Sequence, residues 1–416
     1  MKDYDALDSK CPSCGAQIIW DPSIEKFRCD YCGSLFSADE FLELQEKEEE
    51  SKRGNEELVS FKCSNCGAEI VSDVNTFSIF CVYCGSTAIL REKISNEDMP
   101  DYVIPFKKTE DDARSAYNDL LKGKRLLPSK FRKAKMSEKI RGIYIPFWAY
   151  DIVCDGDVNF EGIDIEKWED DEYEYEKREY YDVIVRGHYE YDKVLCDASR
   201  FFSDDLMDSI SPFSLDELVK YNPAFLCGYL ADRYDVSKED SYKIAEERSK
   251  NSCISVARRA SFHDEEHYKG DDLIFDKGKT YHIYLPVYIL NIPFKNKIYS
   301  FAMNGQTGKL VGNLPIGKIR YTLSIVSFFL VIFIGLFFLL NKTDMNENGA
   351  LVGAAFISII ATIIFSFVLY NKYKLVNTEY YAFDYLNEDT LQVDKIKDFH
   401  TGSHTNRSRK MNSNKH

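Results

Sequence analysis

Two cysteine quartets of matching spacing constrain the N-terminal part of this chain more than any other feature. Cys11-Pro-Ser-Cys14 is followed after fourteen residues by Cys29-Asp-Tyr-Cys32, and Cys63-Ser-Asn-Cys66 after another fourteen by Cys81-Val-Tyr-Cys84. A two-residue gap lets both thiolates of a tight turn face one ion, and two such turns joined by a hairpin complete a tetrahedral sulfur site. Gly15, Gly33, Gly67 and Gly85 each follow the second cysteine of a pair, where the backbone must turn sharply. Each quartet therefore reads as a four-cysteine zinc ribbon. With every ligand a thiolate the site is closed, which makes the two expected Zn2+ ions structural; a redox switch is the alternative.

Eight of the twelve cysteines are used this way. Cys154, Cys196, Cys227 and Cys253 follow no pairing pattern and read as buried small hydrophobes in a reducing cytosol. No basic stretch followed by an apolar run opens the chain, so no secretory signal is expected.

Tyr321 to Leu340 and Gly349 to Tyr370 are apolar runs without a charge. Each matches the ~20 residues that cross a bilayer core. The connector Asn341 to Asn348 has room only for a turn. Lys318 and Arg320 precede the first run and Lys372 and Lys374 follow the second, whereas the connector sets Lys342 against Asp344 and Glu347. This bias predicts a multi-pass cell-membrane protein with both termini cytoplasmic. Ala350, Ala354, Ser358, Thr362 and Ser366 form a small-residue stripe. It suits close packing on the first helix or, alternatively, on a second membrane protein.

The expected fold is multidomain. Residues 1–38 are the first ribbon, 39–57 a charged linker, 58–92 the second ribbon, 93–318 a cytosolic α+β domain, 319–372 a transmembrane helical hairpin and 373–416 a cytoplasmic tail that ends in a disordered stretch, Ser403 to His416. Within the α+β domain, Thr109-Glu-Asp-Asp112 and Ser214-Leu-Asp-Glu217 read as helix starts. Pro223 to Tyr234 and Ser237 to Ala260 read as helices. Gly142 to Cys154, Asp182 to Tyr191, Tyr281 to Leu290, Lys297 to Met303 and Lys309 to Gly312 read as strands. Val183, Val185, Tyr189 and Tyr191 share one face. Asn304-Gly305 marks a turn.

The segments YIPFWAYD (144–151), DDLMDSISPF (204–213), FLCGYLADRYD (225–235), LPVYIL (285–290) and YSFAMNGQTGKLVGNLP (299–315) resemble those of a bacterial family of membrane-anchored zinc-ribbon proteins. Its members often carry labels such as primosomal helicase or transcription-factor-type zinc ribbon. Some look like the zinc-ribbon membrane subunit encoded beside phage-shock protein A-like proteins in bacilli. The resemblance covers the ribbons and most of residues 143 to 375. It implies a membrane platform that recruits soluble or membrane proteins, phage-shock-type partners among them, during envelope stress.

Enzyme signals are weak. His263-Asp-Glu-Glu-His267 has Asp264 where a zinc protease needs Glu, and reads as a solvated helix end. Gly305-Gln-Thr-Gly308-Lys309 lacks the first glycine and the Ser or Thr of a phosphate loop, because Met303 and Leu310 stand there. The acidic stretch Glu166 to Asp182 reads as a solvated loop or strand rim. No catalytic residue is assigned. Nucleic acid is an improbable partner for a chain of 53 basic and 68 acidic residues, net −15. One basic cluster, from Lys122 to Arg141, contains Lys130, Arg132, Lys133 and Lys135 as membrane-surface candidates. A solvated face is the first reading of it, membrane lipid the second and DNA the third. The sequence thus predicts a non-enzymatic membrane adaptor or scaffold, with a membrane-tethered nucleic-acid-binding regulator as the alternative.

Overall fold

The computed structural model describes residues 11–16, 18–49, 59–63, 69–72, 89–93, 99–132, 140–200, 202–226, 229–295, 297–342 and 347–410. Two compact units share the chain. The first takes the residues up to Pro146, Ser199–Asp235 and Tyr284–Thr378; the second takes Phe147–Ala198, Val236–Ile283 and Glu379–His416. The expected 93–318 domain is therefore divided. Its long strands Arg141–Glu169 and Ile274–Phe294 each begin in one unit and end in the other.

In the first unit, Ile19–Asp21, Lys26–Arg28 and Leu35–Phe36 form a three-stranded antiparallel sheet. Helix Ala38–Glu49 follows, so the expected linker is helical over its first part. Its start is a reciprocal cap: Ser37 N–H donates to the Glu40 carboxylate at 2.8 Å and Glu40 N–H donates to Ser37 Oγ at 3.2 Å. So small a module has little interior of its own. Trp20, Phe27 and Phe41 are nonetheless buried, in one core with Phe106 and Phe225. Phe27 lies 4.9 Å and Trp20 5.4 Å from the Phe225 ring. Each such side chain contributes about 1.5–3 kcal/mol on full burial. Strands Val59–Cys63, Glu69–Ser72 and Ile89–Lys93 pair antiparallel, and Glu69–Ser72 adds to Leu230–Asp232.

Helix Glu110–Leu121 opens with the capping box expected from Thr109 and Asp112 and buries Ala113, Tyr117 and Leu121 at helical spacing. Tyr117 meets Phe301 edge to face at 5.0 Å. Phe301 belongs to the hairpin that pairs Val287–Phe294 with Lys297–Asn304. The turn after it is a packed structural element. Asn304 Nδ2 donates to the Ile210 and Pro212 carbonyls at 3.1 Å, and its Oδ1 accepts from Gln306 and Thr307 N–H at 2.9 Å. A Cβ on Gly305 would meet the Phe106 ring at 2.6 Å, so glycine is required by close approach. Two helix expectations are corrected here. Ser214 heads only a 3-10 turn, Leu215–Glu217, without a side-chain cap. The apolar run from Pro223 gives a 3-10 turn to Leu226 and then strand Leu230–Asp232, parallel to Ile143 and Tyr144.

Helices Lys318–Leu340 and Glu347–Asn371 are each long and apolar enough to cross a membrane. Ala350, Ala354 and Ser358 are fully buried, which resolves the small-residue stripe into packing within the chain. Phe328 stacks on Phe365 at 4.1 Å and Tyr321 Oη lies 2.6 Å from Ser366 Oγ. Val331, Phe338, Val352, Phe356 and Phe367 point outward, each at least 65% exposed. Soluble monomers rarely expose so large an apolar face.

The second unit is built on one long antiparallel hairpin, paired from Phe147↔Asp197 to Glu169↔Glu174 with a register shift between Tyr150 and Ile152. The acidic stretch from Glu166 is its tip. Glu265–Asp271 joins one side along Val158–Ile163, and Gln392–Arg409 joins the other along Tyr173–His188. The tail expected to be disordered from Ser403 is therefore a strand through Arg409. Helix Lys238–Ser261 lies against this sheet. Its buried face is small, with Ser249, Ser252, Cys253 and Ala257, and Ala257 joins Val158, Phe160, Val183 and Val185 in a core cluster. Tyr191 Oη donates to the Ser249 carbonyl at 3.1 Å. Cys154, Cys196 and Cys253 are buried as expected; Cys227 lies outside the described residues.

Candidate metal centre

Two backbone turns of the same design present the first cysteine quartet. Gly15 N–H donates to Cys11 O at 2.8 Å and Gly33 N–H to Cys29 O at 2.9 Å. Both glycines have left-handed backbone, φ 72° and 74°, which a side chain would strain. Cys11 N–H donates to Ala16 O and Cys29 N–H to Ser34 O, closing each turn. The strands between the turns bring Cys11 and Cys29 into the core while Cys14 and Cys32 stay exposed.

The four sulfurs lie within 4.8 Å of one another, and the Cys11–Cys32 and Cys14–Cys29 pairs are each 3.6 Å apart. Bonds of about 2.3 Å in a tetrahedron place sulfurs about 3.8 Å apart, so this donor set fits a zinc-sized ion without rearrangement. Four thiols so close cannot all ionise unaided. The Ser34 hydroxyl, 3.1 Å from the Cys32 sulfur, and the Ser34 backbone hold the Cys32 thiol down at about 6. Cys14 moves up to about 12: the Ala16 backbone N–H lowers it, but partial desolvation and the neighbouring sulfurs outweigh that. A cation removes this conflict by favouring the thiolate at every position.

The second quartet is outside the described residues except for Cys63, which ends strand Val59–Cys63; Cys66, Cys81 and Cys84 are not described. The histidine pair is brought to no common site. Helix Lys238–Ser261 stops at Phe262, whose backbone is left-handed, and Glu265 starts a strand. The expected solvated helix end is instead a part-buried contact: the His263 side chain, 5% exposed, lies 2.9 Å from Asp164 and 3.2 Å from Asp398, which are themselves partly exposed.

Of the membrane-surface candidates, Lys130 and Arg132 are exposed on the short helix Ser129–Arg132, and Lys133 and Lys135 lie outside the described residues. This segment is fastened to the base of the apolar hairpin. Gly317 N–H donates to Leu126 O at 2.8 Å, Leu126 N–H donates to Tyr373 Oη at 2.9 Å, and Arg320 donates to Leu127 O at 2.8 Å and Ser129 Oγ at 2.6 Å.

Sequence reasoning missed how the cysteine module is anchored. Trp20 Nε1–H donates to the Phe106 carbonyl at 2.7 Å, and Lys107 Nζ reaches Glu25 at 3.4 Å. The surplus of aromatic residues at Trp20, Phe27, Phe36 and Phe41 is the signal that something outside the module must cover them.

No protein-family model matches this chain, and no solved structure matches it. The chain is similar to the "Uncharacterized protein YdjG" of Bacillus subtilis (strain 168), with 28% identity over 313 residues, which are 75% of this chain and 91% of that protein.

Proposed function

We propose that this chain is a membrane-anchored adaptor that holds zinc-folded modules at the cytoplasmic face of the cell membrane and recruits soluble protein partners there. In this reading the two apolar helices cross the bilayer as a hairpin. Lys318, Arg320, Lys372 and Lys374 mark the cytoplasmic side, and both termini lie on it. Each cysteine quartet is a zinc ribbon holding one structural ion. Cys11, Cys14, Cys29 and Cys32 would hold the first, and the ion supplies folding free energy rather than a reaction.

The observation that carries the proposal is that the sulfur cluster and the hairpin base share one core. Cys11, Cys29, Phe27 and Tyr373 belong to a single buried cluster. A surface folded by metal is thus fixed to the anchor rather than hung on a free linker. Tyr31, 84% exposed, and Leu35, 49% exposed, are among the apolar groups it offers a partner. The resemblance to envelope-stress platforms supports phage-shock-type partners. Nucleic acid is the second reading, and the module's charges disfavour it. Arg28 is paired with both Asp21 and Asp30, so its cation is already neutralised.

Capture from native membranes tests this. The wild-type chain is expected to retain a soluble protein that Tyr31→Ala/Leu35→Ala loses at unchanged zinc content. These point variants are cleaner than removal of residues 1–92, which would also strip the Trp20 and Phe27 packing from Phe225. Equal capture by both chains, or salt-sensitive binding of duplex DNA by the wild type, counts against the adaptor.

A further inference from the structure

We infer that the hairpin base carries a binding surface for anionic phospholipid headgroups, assembled from Lys124, Arg125, Lys130, Arg132, Arg320 and Lys372. The inference rests on the membrane-spanning reading, because only a bilayer crossed at this hairpin puts headgroups at this level.

Two separate stretches of chain supply the cations. Lys124, Arg125, Lys130 and Arg132 come from the segment that follows helix Glu110–Leu121. Arg320 and Lys372 flank the apolar helices at their common end. Hydrogen bonds hold the stretches together: Leu126 O accepts from Gly317 N–H, Leu126 N–H donates to the Tyr373 hydroxyl, and Leu314 N–H donates to Tyr373 O at 3.0 Å. Lys124 Nζ donates to the Lys372 carbonyl at 2.7 Å and sits 5.3 Å from the Tyr373 ring centre. Arg132 donates to Lys124 O at 2.7 Å. These cations therefore spend hydrogen bonds on neutral carbonyls. Among the described residues none of the six has a carboxylate partner.

Such an arrangement concentrates positive charge without cancelling it. Burial and the neighbouring Lys372 charge lower the Lys124 pKa, the direction expected of a cation crowded by another. Arg125, Lys130, Arg132, Arg320 and Lys372 are exposed, and Ile319 between the cations of the first helix is 77% exposed. Cations level with an apolar helix end fit a phosphate-bearing surface over a hydrocarbon interior. The whole chain is acidic, at net −15, so attraction to an anionic leaflet has to come from a local patch of this kind.

The test uses the full-length chain in nanodiscs of phosphatidylcholine containing a trace of spin-labelled phosphatidylglycerol or spin-labelled phosphatidylcholine. The motionally restricted fraction reports lipid held by the protein. Phosphatidylglycerol is expected to be favoured about fivefold at low salt, the effect of one cation acting near an anionic headgroup, and less as salt rises. Arg125→Gln/Lys130→Gln/Lys372→Gln removes three cations whose side chains make no structural hydrogen bond among the described residues. It is expected to lower the ratio, with Lys124, Arg132 and Arg320 still in place, and to leave phosphatidylcholine contact unchanged. Equal affinity for both lipids in the wild type overturns the inference, as does an undiminished preference in the triple variant. Duplex DNA that displaces phosphatidylglycerol from the wild type and fails to bind the triple variant would assign the patch to nucleic acid instead. Carbonate extraction of native membranes tests the anchor separately. Retention without lipid preference defeats the patch alone, whereas release of the wild-type chain overturns the anchor and the patch with it.

Discussion

Trp20 donates its indole N–H to the backbone carbonyl of Phe106 at 2.7 Å, in a fully buried contact across 86 residues of sequence. This bond fastens the cysteine module to the body of the first unit. Trp20→Phe keeps the ring contacts but leaves the Phe106 carbonyl without its donor. An unsatisfied buried acceptor costs about 1–3 kcal/mol, so the melting temperature of the detergent-solubilised chain should fall. An unchanged melt would show that the module is not coupled to the body through this contact.

The sulfur geometry of the first quartet and the matching spacing of the second lead to a prediction about metal content. Elemental analysis of the native chain should find two zinc ions, and Cys14→Ser should lower this to one, because the second quartet uses separate ligands. Loss of the first ion should also lower the melting temperature, since Cys11 and Cys29 lie in the shared core. Lowering the pH should release zinc as protons compete for the thiolates. A native chain without zinc would contradict the assignment.

A pH effect of the opposite sign is expected in the second unit. His188 lies 2.7 Å from Asp155 and 3.2 Å from Glu190, and donating hydrogen bonds to these carboxylates raises its pKa. A raised folded-state pKa stabilises where the ring is charged. That contribution is complete below the ordinary histidine value of about 6.5 and disappears as pH rises through the folded value. His188→Gln should therefore melt below the wild type near pH 5.5, and the gap should narrow by pH 8.5. A gap independent of pH would contradict this.

The topology has a direct reading. Asn341→Cys, at the far end of the first apolar helix, should react with an impermeant thiol reagent in intact cells, while the cysteines of residues 11–32 should not. Labelling of the N-terminal cysteines in intact cells would reverse the orientation.

The tail offers a further check. Gln392–Arg409 pairs along Tyr173–His188, so its amides should exchange slowly with solvent deuterium wherever they point to that strand. Fast exchange along the whole segment would contradict the pairing.

Features coded locally were legible in the sequence. The cysteine turns with Gly15 and Gly33, the Thr109 cap and the apolar helices all depend on residues within a few positions of one another. Features that depend on distant partners were not. The end of the tail strand, from Ser403, reads as disordered because it is polar on both faces and is held by backbone pairing rather than by buried side chains. The His263–His267 spacing reads as helical until Phe262 leaves the helix. The run from Pro223 is apolar enough for a buried helix or a buried strand, and pairing with Ile143 and Tyr144 decides for strand at Leu230–Asp232. The anchoring of Trp20 and Phe27 on Phe225 joins segments that no periodicity links.

The adaptor reading is tested most directly by a photo-reactive phenylalanine analogue placed at Tyr31, irradiated in native membranes. The expected result is an adduct with a soluble protein that disappears when Cys14→Ser abolishes the first metal site. An adduct removed by nuclease, or no protein adduct at all, would contradict the account.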